Sequence, residues 1–154
     1  MQTLYPRRRV AVKLLALLAL LPGCAVSHIP TLDVRISSVK CVTGLTSHPV
    51  LTFDVVNKSG YAIQSIDLLV VAGIPGRSVP AAEYSSWVEL SNGIEPGETR
   101  SAKLICESTA MFLALGNNKH GVILSLPSGT YRHAGDARLF VVDGAIAPAK
   151  IVRR

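Results

Sequence analysis

Residues 51 to 70 read LTFDVVNKSGYAIQSIDLLV. Leu51, Phe53 and Val55 alternate with Thr52 and Asp54, the period-two pattern of a strand that buries one face. Asn57-Lys58-Ser59-Gly60 follows as a turn, since Asn and Ser bond their own backbone locally and Gly tolerates conformations that other residues do not. Ile63, Ile66, Leu68 and Val70 then resume, with Leu69 and Val71 between them. This second strand is too apolar to expose one face fully and needs cover on both.

The same patterning extends outward in both directions. Leu32, Val34 and Ile36 alternate with Asp33, Arg35 and Ser37, after which Val39 and Cys41 change parity, as a β-bulge would produce. Downstream, Gly73-Ile74-Pro75-Gly76 and Pro80 interrupt regular structure, and Trp87 to Leu90 offers a short strand. Gly93-Ile94-Glu95-Pro96-Gly97-Glu98 makes a turn, with Pro fixing φ. It leads into Arg100 to Cys106, where Ala102, Leu104 and Cys106 share a face. Thr109 is placed to cap a two-turn helix, Ala110 to Leu115, that Gly116 ends. Val122 to Leu126 and Arg138 to Val142 complete the strand set. About seven short strands in roughly 120 residues, punctuated by turns, predict a single all-β domain, an antiparallel sandwich with one short helix.

The N-terminus is of a different kind. Residues 1 to 23, MQTLYPRRRVAVKLLALLALLPG, place Arg7, Arg8, Arg9 and Lys13 ahead of and within an apolar run and contain no acid. That is the layout of an export signal. Its uninterrupted apolar stretch, Leu14 to Leu21, is far shorter than the roughly 20 residues a spanning helix needs. Arg-Arg also suggests a twin-arginine signal, but Arg9-Val10-Ala11 lacks the context expected for one. Charge follows from this division. The whole chain holds 16 Lys and Arg against 10 Asp and Glu, a net of +6. Without the first 23 residues 12 cations face 10 acids, so no electrostatic case for nucleic acid binding remains.

Leu21-Pro22-Gly23-Cys24 resembles the lipobox of bacterial lipoproteins, although Pro22 departs from the small residue usual at that position. The resemblance implies diacylglyceryl transfer to the Cys24 thiol and cleavage before it; the alternative is an ordinary secretory signal. Two or three acyl chains hold a protein on a bilayer where one does not, and Ala25 favours the outer membrane by the same resemblance. Cys24 to Thr31 is then a short linker, 32 to 149 the folded body, and 150 to 154 a basic tail. With Cys24 lipidated, Cys41 and Cys106 are an even pair in an oxidising compartment. A bridge between them would contribute roughly 4 kcal/mol by chain entropy; two buried free thiols, or a reactive thiol, are the alternatives. The segments Leu51 to Val70 and Leu90 to Cys106 are similar to immunoglobulin-like domains of small envelope lipoproteins, in which a strand ends in Asn-x-Ser/Thr-Gly and a Pro-Gly-Glu turn opens a later strand. That resemblance implies a fold and no activity.

Several motifs of catalysis are absent: there is no G-x-S-x-G, HExxH, phosphate-binding loop or EF-hand. His28, His48, His120 and His133 are far apart, and none stands at metal-ligand spacing from another His or a Cys. The acids are scattered, Glu95 and Glu98 about a turn and Asp136 and Asp143 about the last strand; solvated turn acids are the expected reading, and a carboxylate pair of the glycosidase kind is the alternative. No catalytic residue, cofactor, metal or small-molecule substrate is expected. Asn57-Lys58-Ser59 matches a glycosylation sequon, but after a bacterial lipobox a turn is the better reading.

Two features are candidates for partners. Ala110 to Leu115 is either a helix plugging one end of the sandwich or, through Met111 to Leu115, a docking patch. Lys150, Arg153 and Arg154 lie in a tail that is either frayed or in contact with anionic lipid, lipopolysaccharide or murein. The expected function is that of a lipid-anchored periplasmic module, not an enzyme, that binds or scaffolds another envelope protein. The alternative is an inhibitor of an attacking lysozyme or protease, inserting the loop at Pro75-Gly76-Arg77 or the one from Ser128 to His133.

Overall fold

A computed structural model describes residues 28–44 and 47–154. Its strands, in chain order, are β1 Val34–Thr43, β2 Val50–Asn57, β3 Ile63–Gly73, β4 Ala82–Ile94, β5 Thr99–Ile105, β6 Gly121–His133, β7 Asp136–Val141, β8 Ile146–Pro148 and β9 Lys150–Arg153, with a helix α1, Thr109–Leu115, between β5 and β6. They form two sheets. One has the order β5-β2-β1-β9; the other has the order β4-β3-β6-β7, with β8 pairing the free half of β6. The fold is an all-β sandwich. All pairings of the named strands are antiparallel except that of β9 with β1.

The core lies between the sheets. Leu51, Phe53 and Val55 of β2 meet Ile66, Leu68, Val70 and Ala72 of β3, joined by Val34, Cys41, Leu104, Leu124, Leu126 and Phe140, all buried. Fully burying each large apolar side chain contributes about 1.5–3 kcal/mol. The central strand β3 has β4 on one side and β6 on the other. Leu69 and Val71, on its outward side, are accordingly half-buried, as the sequence requires. In β1 the pairing passes from Ser37–Asp54 to Lys40–Thr52, three residues forward against two back. Ser38 takes the strain at φ 55°. This bulge is the parity change seen between Ile36 and Val39.

The turn after β2 is held by one buried amide. The Asn57 side chain donates through Nδ2 to the carbonyls of Tyr61, at 2.7 Å, and Ile94, at 2.8 Å. Its Oδ1 accepts from the Ser59 N–H and hydroxyl, at 3.0 and 2.7 Å. Backbone bonds from Asn57 N–H to the Glu98 carbonyl and from Gly97 N–H to the Asn57 carbonyl tie the same point to the second turn. Gly97 sits there at φ 81°, where a side chain would be strained. The Asn57-to-Gly60 stretch is thus a turn whose first residue is structural.

Several expectations are corrected. The described residues form nine strands, where about seven were expected, because the short β8 and β9 carry little local pattern. Trp87 to Leu90 is the middle of β4, a strand of 13 residues, which begins close after Pro80. The stretch Ser128 to His133 is no loop: it is the second half of β6, paired residue for residue with β7. Gly129 lets it lie flat, since a Cβ there would fall 2.7 Å from the Phe140 ring. Ser108, not Thr109, caps α1, its hydroxyl accepting from the Met111 N–H at 3.3 Å. Lys150 to Arg153 is not a loose tail; it pairs in parallel with Lys40 to Thr43.

Candidate functional site

The sequence nominated no catalytic centre, so the site is sought on the surfaces that the sheets present. The register of the five-stranded sheet sets its outward side chains in four rows, running from β4 through β3 and β6 to β8 or β7. They are Glu83–Val71–Ile123–Pro148, Ser85–Leu69–Ser125–Ile146, Trp87–Asp67–Ser128–Val141 and Glu89–Ser65–Thr130–Leu139. The last column, Pro148, Ile146, Val141 and Leu139, is apolar throughout and exposed. Ten large hydrophobics are exposed among the described residues, and five of them, Trp87, Ile123, Leu139, Val141 and Ile146, share this face. Single exposed apolar residues are ordinary, but a cluster on one face is not.

The middle of the face is hydroxylated. Ser65 and Thr130 bond each other across β3 and β6, and the Ser128 hydroxyl reaches Asp67 at 3.4 Å. The β4 side is acidic, with Glu83 and Glu89, and neither β3 nor β4 contains a Lys, Arg or His. Beside its apolar column, at the start of β6, a cleft of about 390 Å³ opens under the β3–β4 loop, lined by Val71, Pro75, Arg77, Ile123 and Pro148 among others.

The cysteines lie elsewhere, in the core. Cys41 and Cys106 are both buried and both free, so the expected bridge between them is not formed. They do point inward, but from the same sheet. Cys41 pairs with Leu51 and Leu51 with Leu104, while Cys106 continues two residues beyond, its N–H on the Pro49 carbonyl. Two strand spacings alone amount to about 9.5 Å, whereas a disulfide needs Cα atoms within about 7 Å. Burial raises the Cys41 thiol to about 11 against the pull of Arg153. Burial, and then the neighbouring Cys41, raises Cys106 to about 12. Such thiols are inert.

Cys24 and the rest of the lipobox lie outside the described residues. His120 and His133 stand at opposite ends of β6. The Nδ1 of His120 stands 2.6 Å from the Ala114 carbonyl at the end of α1. His133 packs edge-on to Tyr61 and Tyr131, with ring centroids at 5.8 and 6.2 Å. Glu98 is bound within its turn, accepting from the Glu95 N–H at 2.9 Å and from Arg100 at 2.6 Å; these bonds hold its carboxyl below the usual range. Asp136 starts β7 and Asp143 follows its end, both exposed. No group of three His, Cys, Asp or Glu among the described residues is arranged to hold a metal. Helix α1 buries Met111, Ala114 and Leu115 and leaves Leu113 exposed, so it plugs one end of the sandwich. No described helix is long and apolar enough to cross a membrane.

No family model matches the chain, and no curated protein is significantly similar to it. Among solved structures, a β-glucosidase from Listeria innocua in complex with glucose is similar at 14% identity and a TM-score of 0.36, over 77% of this chain and 16% of that one. The ligand binding region of serine-glutamate repeat protein A of Enterococcus faecium is similar at 16% identity and a TM-score of 0.30, over 74% of this chain and 98% of that one. A β-glucosidase from Kluyveromyces marxianus gives 16% identity and a TM-score of 0.30, over 79% of this chain and 15% of that one. The chain thus spans about a sixth of the length of the glucosidases, and at these TM-scores none of the three bears on what it does.

Proposed function

We propose that this protein is a lipid-anchored, non-catalytic binding module of the bacterial envelope, held by Cys24 on the periplasmic side of the outer membrane and docking another envelope protein on the outer face of its five-stranded sheet. The observation that carries this reading is the clustering of Trp87, Ile123, Leu139, Val141 and Ile146 on that one face. Burying such a column against a partner would remove it from water at about 25 cal/mol per Å². The lipobox resemblance supplies the address. Two measurements test the proposal together. Palmitate incorporation should vanish in Cys24→Ala, and a photo-crosslinking residue introduced at Leu139 or Ile146 should form a discrete adduct in the envelope that the same residue at Lys58 does not. Labelling that persists would end the anchor; equal adducts at all three positions would end the docking face.

The inhibitor reading is favoured by a single feature, the β3–β4 loop. Pro75 to Ala81 is exposed throughout, with Val79 at 77%. Stoichiometric arrest of a lysozyme or protease, abolished by Arg77→Ala, would support it over the docking face.

A further inference from the structure

The other sheet has a face of opposite chemistry, assembled from residues that are remote in the sequence. Pairing β9 with β1 sets Lys150 directly beside Lys40; Lys40 pairs with Thr52 of β2, and Thr52 with Lys103 of β5. The result is one row, Lys150–Lys40–Thr52–Lys103, across the four-stranded sheet. All four residues are exposed. Like charges directly opposite one another are unfavourable in a sheet, so this row costs stability unless something anionic lies against it. The next row, from the same register, is Val152–Val42–Val50–Ile105, in which Ile105 is 45% exposed. Beyond it Leu113 of α1 stands at 67% exposure. Lysine stems lying along apolar side chains, with the ammonium groups at the rim, are the composition of a surface that rests on lipid headgroups.

The acids on this side are few and engaged or peripheral. Asp54, one row over, accepts from the Ser101 hydroxyl at 2.5 Å; that bond first, and the Lys40 ammonium more weakly, hold its carboxyl below the usual range, so it offsets one lysine of the three. Asp33 is paired with Arg35 at 2.9 Å. Glu107 lies past the end of β5.

We infer that the outer face of the four-stranded sheet, through the row Lys40, Lys103 and Lys150 and the apolar row beside it, lies against an anionic bilayer surface. The face fixes the orientation of the sandwich, and the five-stranded face is then turned away from the bilayer toward a partner. This orientation rests on the anchored module proposed above; the lysine row itself does not depend on Cys24.

The test uses the chain from residue 25, which contains every strand of both sheets and no acyl group. It is sedimented with vesicles of phosphatidylcholine alone and with vesicles containing phosphatidylglycerol. Each lysine near an anionic surface is worth about a fivefold change in partitioning. Partitioning into the phosphatidylglycerol vesicles should therefore be about a hundredfold stronger and fall steeply with salt. The triple variant K40Q/K103Q/K150Q should lose that preference, and Ile105→Ser should weaken it severalfold. Lys58→Gln with Lys119→Gln, which removes charge from elsewhere, should leave it unchanged. Equal partitioning into both vesicles, retention by the triple variant, or an equal loss in the control would overturn the inference. So would lysine-dependent binding of inorganic polyphosphate without binding of vesicles. Palmitate labelling at Cys24 is read separately, so the anchor and the lysine face stand or fall on different measurements.

Discussion

Replacing Asn57 with alanine tests whether a residue that looks like turn punctuation is a structural centre. The side chain is fully buried and uses two donors and an acceptor oxygen in four hydrogen bonds. In Asn57→Ala the Ile94 carbonyl, bonded to Nδ2 in the interior, is left without that partner, at about 1–3 kcal/mol. Tyr61 and Ser59 lie near the surface, where water replaces much of what they lose, so their bonds add about 1 kcal/mol. The total is about 3 kcal/mol, a large part of the ~5–15 kcal/mol that holds a domain together. With an unfolding entropy of ~2.1 cal/mol/K per residue, a domain of about 125 residues loses about 4 °C per kcal/mol, or about 12 °C here. Urea unfolding followed by the fluorescence of Trp87, the single tryptophan, should show a lower midpoint at unchanged slope. Asn57→Asp keeps the volume and loses the donors, so at neutral pH a carboxylate faces two carbonyls. Its folded pKa is raised, and the deficit should shrink as pH falls toward the unfolded value of about 4, where the protonated acid can donate again. A loss below about 1 kcal/mol in Asn57→Ala, or a milder effect in Asn57→Asp at neutral pH, would refute the assignment.

Two further perturbations follow from the core. Gly129→Ala forces a methyl group against the Phe140 ring and the Ser65 carbonyl, and should cost about 2–3 kcal/mol; thermal unfolding measures it, and partial recovery with Phe140→Leu would identify the clash. In the chain from residue 25 both thiols should resist a thiol reagent when native and react fully on unfolding, with identical mobility under reducing and non-reducing conditions; one bridged pair would overturn their placement. Because the folded thiol pKa values are raised, to about 11 and 12, their protonated state favours the fold. Stability should hold below the unfolded thiol value of about 8.5 and decline above it, more gently in Cys106→Ala.

The strands around Asn57 were legible because one buried face writes a period of two into the sequence, and the β1 bulge was legible because it breaks that period. Alternation does not say which strands are neighbours. That Cys106 shares a face with Ala102 and Leu104 could be read; that Cys41 and Cys106 both point inward from one sheet, with β2 between them, could not. Ser128 to His133 reads as a loop because Gly129 and the polar residues around it carry turn composition, yet the glycine serves a close approach to Phe140. The β9 strand has only Ile151 and Val152 as apolar residues and takes its place from β1, through a parallel pairing that no local pattern announces. The apolar face of the five-stranded sheet was missed for the same reason: Trp87, Ile123, Leu139 and Ile146 come from four strands and become neighbours only through register.

Net charge illustrates how much such placement matters. Without residues 1 to 23 the formal +6 falls to +2, which on its own removes any reason to expect long-range electrostatic attraction. In the folded body the two signs are partly sorted between the two sheets. The acids Asp67, Glu83 and Glu89 lie on the cation-free β3–β4 side of one sheet, and Lys40, Lys103 and Lys150 form a row on the outside of the other. A molecule near neutrality therefore carries a charge separation across its thickness. A uniform net charge would attract an anionic surface without preferring any orientation, whereas a separated one exerts a torque that turns one face toward the surface and keeps the other away. The Debye length is about 8 Å at physiological salt, shorter than the thickness of two stacked sheets with their side chains. Each face is then sensed almost independently of the other, and the small net charge does not weaken the lysine row.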